Sequence, residues 1–226
     1  MILHFADLGM IQYKEALRLQ YQLHEKRQRD EIEDVVLLLE HPPVITMGVR
    51  GIYDNVYFSK EQLSEKGIDI VEVQRGGDVT FHGPGQLVGY PIMNLKDTGS
   101  DVKSFVEKMQ NSIIEILETY YNIQANSEHG KYTGVWVGDE KIAAIGIEIK
   151  KWITMHGFAF NINTNLEYFN FINPCGLSKG VTSLEMLTGK KQDINRIKKA
   201  VIDHFARQYK REAKEISVEE LLNPER

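Results

Sequence analysis

Residues 134–162, GVWVGDEKIAAIGIEIKKWITMHGFAFNI, hold three β-like runs in succession, at 134–137, 141–149 and 153–162. In the last run His156, Phe158, Phe160 and Ile162 fall on one face by the strand period of two. No helical pattern separates the three runs, so consecutive strands are expected to pair within an antiparallel or mixed sheet. Gly146 and Gly157 interrupt the last two runs. Each either marks a bulge or lets another segment come close to the backbone.

Upstream, Val102, Phe105, Met109, Ile113, Ile116 and Tyr120 recur at helical spacing, starting near a cap at Ser100 or Asp101. Residues 87–95 and 68–73 read as strands. Residues 34–40, DVVLLLE, form an apolar run of strand length that His41-Pro42-Pro43 ends, because proline cannot donate to a ladder. A short strand at 2–5 precedes a helix with Tyr13, Ala16, Leu19 and Leu23 on one face. Downstream, Ile194, Ile197, Val201 and Phe205 make a second amphipathic helix, and Ser217 with Glu220 has the form of a capping box. Strands and helices are mixed without regular alternation. The expected fold class is α+β, a mixed and largely antiparallel sheet with packed helices, in one catalytic domain over residues 1–226 with C-terminal helices from about 190.

The 226 residues are 42% hydrophobic and 26% charged, ordinary for a globular enzyme. A net charge of −5 argues against a bulk nucleic-acid binder, which needs a surplus of Lys and Arg. The start, MILHFADLGM, has no basic segment followed by a long apolar one, and no window of about 18 residues is continuously apolar. No membrane span and a cytoplasmic location are therefore expected. A single cysteine suits a reducing compartment, and it is either inert core filler or a nucleophile.

Two segments stand out chemically. Residues 75–90, RGGDVTFHGPGQLVGY, are rich in glycine and follow an arginine, as in loops that present backbone N–H groups to a ligand. They match neither a dinucleotide fingerprint nor a P-loop, and they equally suit a turn between strands with His82 as a satisfied structural histidine. Cys175 lies in FINPCGLSKGVTSL between Pro174 and Gly176, on an expected tight turn. A thiol must ionise to attack a carbonyl and does so beside a cation. Lys141, heading an apolar strand, is a candidate cation, although the commoner fate of a Lys next to Asp and Glu is the solvated edge of a hairpin, here one turning at Gly138-Asp139.

The run RGGDVTFHGPGQLVGYPI resembles the signature segment of the lipoyl(octanoyl) transferase family. KIAAIGIEIKKWITMHGFAFNINTNLEYFNFINPCGL, with VTSL after it, resembles that family's second half, and EHPPVITMG at 40–48 a third segment. The similarity runs from about 35 to about 185. It implies the fold of biotin and lipoate ligases, with Cys175 as nucleophile and Lys141 as its partner. It also implies substrate binding by Arg75, Gly76, Gly77, Asp78, Val79, Thr80, Phe81 and His82, by Ala144, Ile145 and Gly146, and by Gly157, Phe158 and Ala159. The implied reaction takes octanoyl from the phosphopantetheine of octanoyl-acyl carrier protein to a lysine of lipoyl domains. The implied acceptors are 2-oxoacid dehydrogenase complexes and the glycine cleavage H protein, with no ATP, metal or other cofactor. Phe158, Ile145 and Val79 are candidates for the acyl tunnel wall, and backbone N–H groups at Cys175 and Gly176 or at the 76–77 pair for an oxyanion site. His82 is expected in a supporting role. Lys150 with Lys151, or Lys179, are candidates for docking acidic partners, while Lys198 and Lys199 read as a solvated helix face. Two alternatives stand beside this reading, an ATP-dependent lipoate or biotin ligase and a non-catalytic acyl-chain binder.

Overall fold

The computed structural model describes residues 2–99, 101–173 and 179–223. Its main sheet runs in the order β12 (Glu212–Glu215), β1 (Ile2–Met10), β2 (Val35–Glu40), β6 (Gln86–Ile92), β10 (Ile153–Asn161), β9 (Glu140–Lys150), β8 (Gly134–Val137), β7 (Asn126–Glu128). Strand β1 is parallel to β12 and to β2, and the ladders from β2 to β7 are antiparallel. A short β11 (Gly180–Val181) adds to β9 in parallel. Beside this sheet lies a second one in which β3 (Val44–Met47) pairs with β4 (Asp69–Glu72) and β5 (Val79–His82).

Helices cover both faces of the main sheet. The stripe of α1 (Tyr13–Gln28) packs Ala16, Leu19 and Leu23 on Val35, Leu37, Leu39, Val88 and Ala159. On the other face α4 (Val102–Tyr121) and α6 (Ile194–Gln208) bury Phe105, Met109, Ile113, Ile116, Ile197, Val201 and Phe205 against Val36, Leu38, Leu87, Phe158 and Phe160. That is why the β2 run is apolar at consecutive positions rather than at alternate ones. Asp101 caps α4 by accepting from the Ser104 N–H, while Ser100 lies outside the described residues. The 217/220 capping box is present on both sides at α7 (Val218–Leu222). One buried ionic group ties the sheet to its helices. Asp34, 1% exposed, accepts from Arg27 Nε at 2.8 Å, Arg211 Nη2 at 3.3 Å and the Asn94 N–H at 2.9 Å.

Several boundaries differ from expectation. The first strand runs on to Met10, and the strand expected over 87–95 stops at Ile92 because Asn94 caps a short α3 (Leu95–Thr98). Val102 and Tyr120, at the ends of the α4 stripe, are exposed. Lys198 is not on a solvated face; it is buried, with Nζ 2.8 Å from both carboxylate oxygens of Asp7. Among the described residues no helix is long and apolar enough to cross a membrane.

Candidate active site

A cavity of about 260 Å³ lies over β9 and β10, roofed by residues 75–80, just below the usual ligand-pocket range of about 300–1,000 Å³. Glycines make the roof and floor meet. Gly146 and Gly157 face one another in the β9–β10 register, and the Gly76 N–H donates to the Ile147 carbonyl at 2.9 Å. A Cβ on Gly146 would stand 2.6 Å from the Gly76 carbonyl oxygen, and one on Gly157 would overlap the Gly89 carbonyl of β6. Close approach, not a bulge, explains both glycines, since the β9–β10 ladder keeps its register through them. The Gly76 N–H is thereby committed to Ile147 and is withdrawn as an oxyanion donor.

Arg75 is buried and fixes the loop from within. Its Nε and Nη2 donate to Thr46 Oγ1 at 3.2 and 2.9 Å, and Nη2 also donates to the Thr46 carbonyl at 2.7 Å. The loop carbonyls are engaged too: Asp78, Arg75 and Gly77 accept from the N–H groups of Gly48, Val49 and Arg50. Val79 to His82 form strand β5, so the segment read as loop is half strand. Alternation along β5 then divides the expected binding residues. Thr80 and His82 line the cavity, and Val79 lines it while packing on Ile45 and Leu63, but Phe81 turns into the small sheet's core and stacks on Tyr168 at 4.7 Å. Phe81 is therefore a packing residue and not part of the lining. Arg75, Gly76, Gly77, Asp78, Ala144, Ile145, Gly146, Gly157, Phe158 and Ala159 all border the cavity.

One end of the cavity is polar and buried. His82 donates from Nδ1 to Gln86 Oε1 at 2.7 Å and stacks on Tyr13, with centroids 6.0 Å apart. His41 donates from Nδ1 to the Ile11 carbonyl at 2.8 Å and accepts at Nε2 from the Tyr90 hydroxyl at 2.8 Å. Burial holds these imidazoles neutral: His41 and His156 are pushed down to about 4, and His82 lies well below its ordinary value. Burial likewise raises the Tyr13 hydroxyl to about 12 and Tyr90 well above its usual range. Tyr13, Tyr90 and His41 were not expected here, since Tyr13 reads in sequence as one more residue of an apolar helix face.

At the other end Lys141, second residue of β9, borders the cavity with Nζ 4.9 Å from the Trp136 ring centroid. Lys179 also lies over Trp136, at 5.0 Å, and pairs with Asp139 at 3.2 Å. The hairpin does turn at Gly138-Asp139, yet Lys141 borders the cavity rather than only edging solvent. Val181 pairs with Lys141 in parallel, and the Thr182 N–H donates to the Lys141 carbonyl at 3.0 Å. Cys175 and Gly176 lie outside the described residues. Lys150 and Lys151 are exposed. Among the described residues no group of three or more His, Cys, Asp or Glu is arranged to hold a metal ion.

The mixed sheet with helices on both faces is the fold of lipoate and biotin protein ligases, as two solved structures show. One is P. falciparum LipL1 in complex with lipoate, with a TM-score of 0.74 at 14% identity, covering 99% of this chain and 68% of that one. The other is the Aquifex aeolicus biotin protein ligase in complex with biotin and ATP, with a TM-score of 0.54 at 16% identity, covering 92% and 70%. The chain belongs to the lipoyl protein ligase A/B catalytic domain family, whose model matches residues 12–206. Within that family it is similar to the octanoyltransferase of Caldicellulosiruptor saccharolyticus, 51% identical over 98% of this chain and 94% of the relative.

Proposed function

We propose that this chain is an octanoyltransferase that acts in protein lipoylation, moving octanoyl from octanoyl-acyl carrier protein to a lipoyl-domain lysine through a thioester on Cys175. The 51% identity to an octanoyltransferase over nearly the whole chain carries the reading. The geometry around Lys141 supports the residue roles. Val181, six residues beyond Cys175 in sequence, is paired with Lys141 at the mouth of an apolar slot.

In the first transfer the Cys175 thiolate, held ionised by Lys141, attacks the carbonyl of the carrier's thioester. The carbon–sulfur bond to phosphopantetheine breaks, and the departing thiolate takes a proton from Lys141. One thioester replaces another, so the step is nearly isoenergetic and requires neither ATP nor metal. In the second transfer the neutral ε-amine of the acceptor lysine attacks the acyl-enzyme. Lys141 accepts its proton, an amide forms and Cys175 departs as the thiolate, which restores the starting pair of thiolate and protonated Lys141. Phe158, Ile145, Ala144 and Val79 enclose the chain, and each methylene they bury contributes about 0.8 kcal/mol. The acceptors are the lipoyl domains of 2-oxoacid dehydrogenase complexes and the glycine cleavage H protein, and the setting is the cytoplasm. Lys179 at the mouth, rather than Lys150 or Lys151, is the cation best sited to meet an acidic carrier.

Intact-mass measurement after incubation with octanoyl-carrier protein, without nucleotide, tests this reading. The expected result is an adduct of about 126 Da that hydroxylamine removes and that Cys175→Ala lacks. Product that forms only with ATP, and no adduct, would replace the transferase with a ligase.

A further inference from the structure

His156 borders the cavity and is 1% exposed, yet neither of its ring nitrogens has a hydrogen-bond partner. The nearby histidines differ, because His41 and His82 both commit Nδ1–H to a protein oxygen. Glu148 Oε2 stands 3.9 Å from His156 Nε2, beyond hydrogen-bond reach, and is itself a buried atom without a hydrogen-bond partner. The side chain is nevertheless held in place. Its residue adopts a left-handed φ of 56°, its backbone N–H donates to Gln20 Oε1 at 2.8 Å, and Tyr90 meets the ring edge-on at 6.2 Å. A buried polar side chain that is rigidly positioned and left unsatisfied against a cavity points to a role toward what enters that cavity.

Its place along the slot indicates which part of a ligand it meets. His156 stands opposite Ile147, six residues along β9 from Lys141, or about 20 Å at ~3.3 Å per residue. Between them Ala144, Ile145, Phe158 and Ala159 contribute hydrocarbon to the cavity lining. An extended eight-carbon acyl chain is about 10 Å long and a lysine side chain about 6 Å, from ordinary bond lengths. A chain whose carbonyl is within reach of Lys141 therefore ends near the edge of the His156 ring, and two further carbons run against it.

We propose that His156 is a specificity-determining residue that sets the length of hydrocarbon the slot accepts. A longer apolar tail seals the imidazole against methylenes that can neither donate nor accept, and the unmet hydrogen-bonding demand opposes its binding. A tail of the same length that ends in a hydroxyl meets that demand. The inference rests on the octanoyltransferase reading and deepens it.

The test compares kcat/KM for octanoyl-, decanoyl- and 9-hydroxynonanoyl-carrier protein, the last two matched in length. In the wild-type enzyme the hydroxylated chain should be transferred about tenfold faster than decanoyl, the discrimination expected of one unmet polar group. In His156→Leu that preference should vanish and decanoyl should gain on octanoyl, while His156→Gln should restore the wild-type order. The wild-type comparison stands even if the leucine, in a left-handed conformation, prevents folding. Equal rates for the two matched chains in the wild type would overturn the proposal while octanoyl transfer persists. No octanoyl transfer at all would overturn the reading it rests on.

Discussion

Lowering the pH from 7 to 5 should destabilise the fold by about 4 kcal/mol through two histidines alone. His41 and His156 are pushed from 6.5 to about 4 by burial. Between those values the unfolded chain binds protons that the folded chain refuses, so stability is full above 6.5 and is lost as pH falls toward 4. At pH 5 each group contributes about 2 kcal/mol of this loss, because an unfolded histidine is almost wholly protonated there and a folded one with a value near 4 is not. His82, shifted the same way, adds to the slope. The Nδ1–H bonds of His41 and His82 to carbonyl oxygens fit the neutral form as well as the charged one, so they do not reverse the sign. Urea unfolding at pH 7, 6 and 5 measures the slope directly. His156→Asn, which removes one titrating group and suits a left-handed backbone, should flatten it by about 2 kcal/mol. Equal unfolding free energies at pH 7 and 5, or NMR titration of both imidazoles near 6.5, would refute the reasoning.

Gly146→Ala should push the 75–80 loop off β9, since the new methyl would stand 2.6 Å from the Gly76 carbonyl oxygen and force apart the Gly76–Ile147 hydrogen bond. A loss of about 1–3 kcal/mol in thermal unfolding, with acyl-enzyme formation reduced more than the stability change explains, is the expected result. Asp34→Ala should cost about 1–3 kcal/mol by removing the buried acceptor shared by Arg27 Nε, Arg211 Nη2 and the Asn94 N–H, while Arg27 keeps Asp30 and Asp97. Chemical denaturation measures it, and Asp34→Asn should cost less because it keeps an acceptor for the Asn94 N–H.

The β8–β9–β10 meander was legible because its apolar runs are long, local and punctuated by a turn at Gly138-Asp139. The helices were legible for the same reason, with stripes that lie within one element. The small sheet was not. Strand β3 pairs with β5 over long separations in sequence, from Val44 to His82 and from Met47 to Val79, and β5 is hidden in a run whose glycine content reads as loop. Nor was the polar end of the slot, since Tyr13, His41, His82, Tyr90 and His156 come from five separate segments that only tertiary packing unites. Family resemblance supplied the Lys141 and Cys175 pairing, which spacing did not. In the structure the β11 pairing of Val181 with Lys141 accounts for how a distant segment returns to that lysine.

The slot exists because side chains are missing across three strands. Gly89 of β6 faces Phe158 of β10, and Gly157 of β10 faces Gly146 of β9. A Cβ on Gly89 would overlap the far end of the Phe158 ring, so the ring reaches over a bare backbone. A Cβ on Gly146 would meet the loop above it. The same residues that weaken a strand by offering nothing to pack therefore create the apolar volume here, and the loop carbonyl at Gly76 closes it within van der Waals distance of the sheet. Such a cavity cannot be widened by trimming its floor, because the floor is backbone. Its dimensions can change only at the walls, through Phe158, Ile145 and Val79, or at the polar end, through His156.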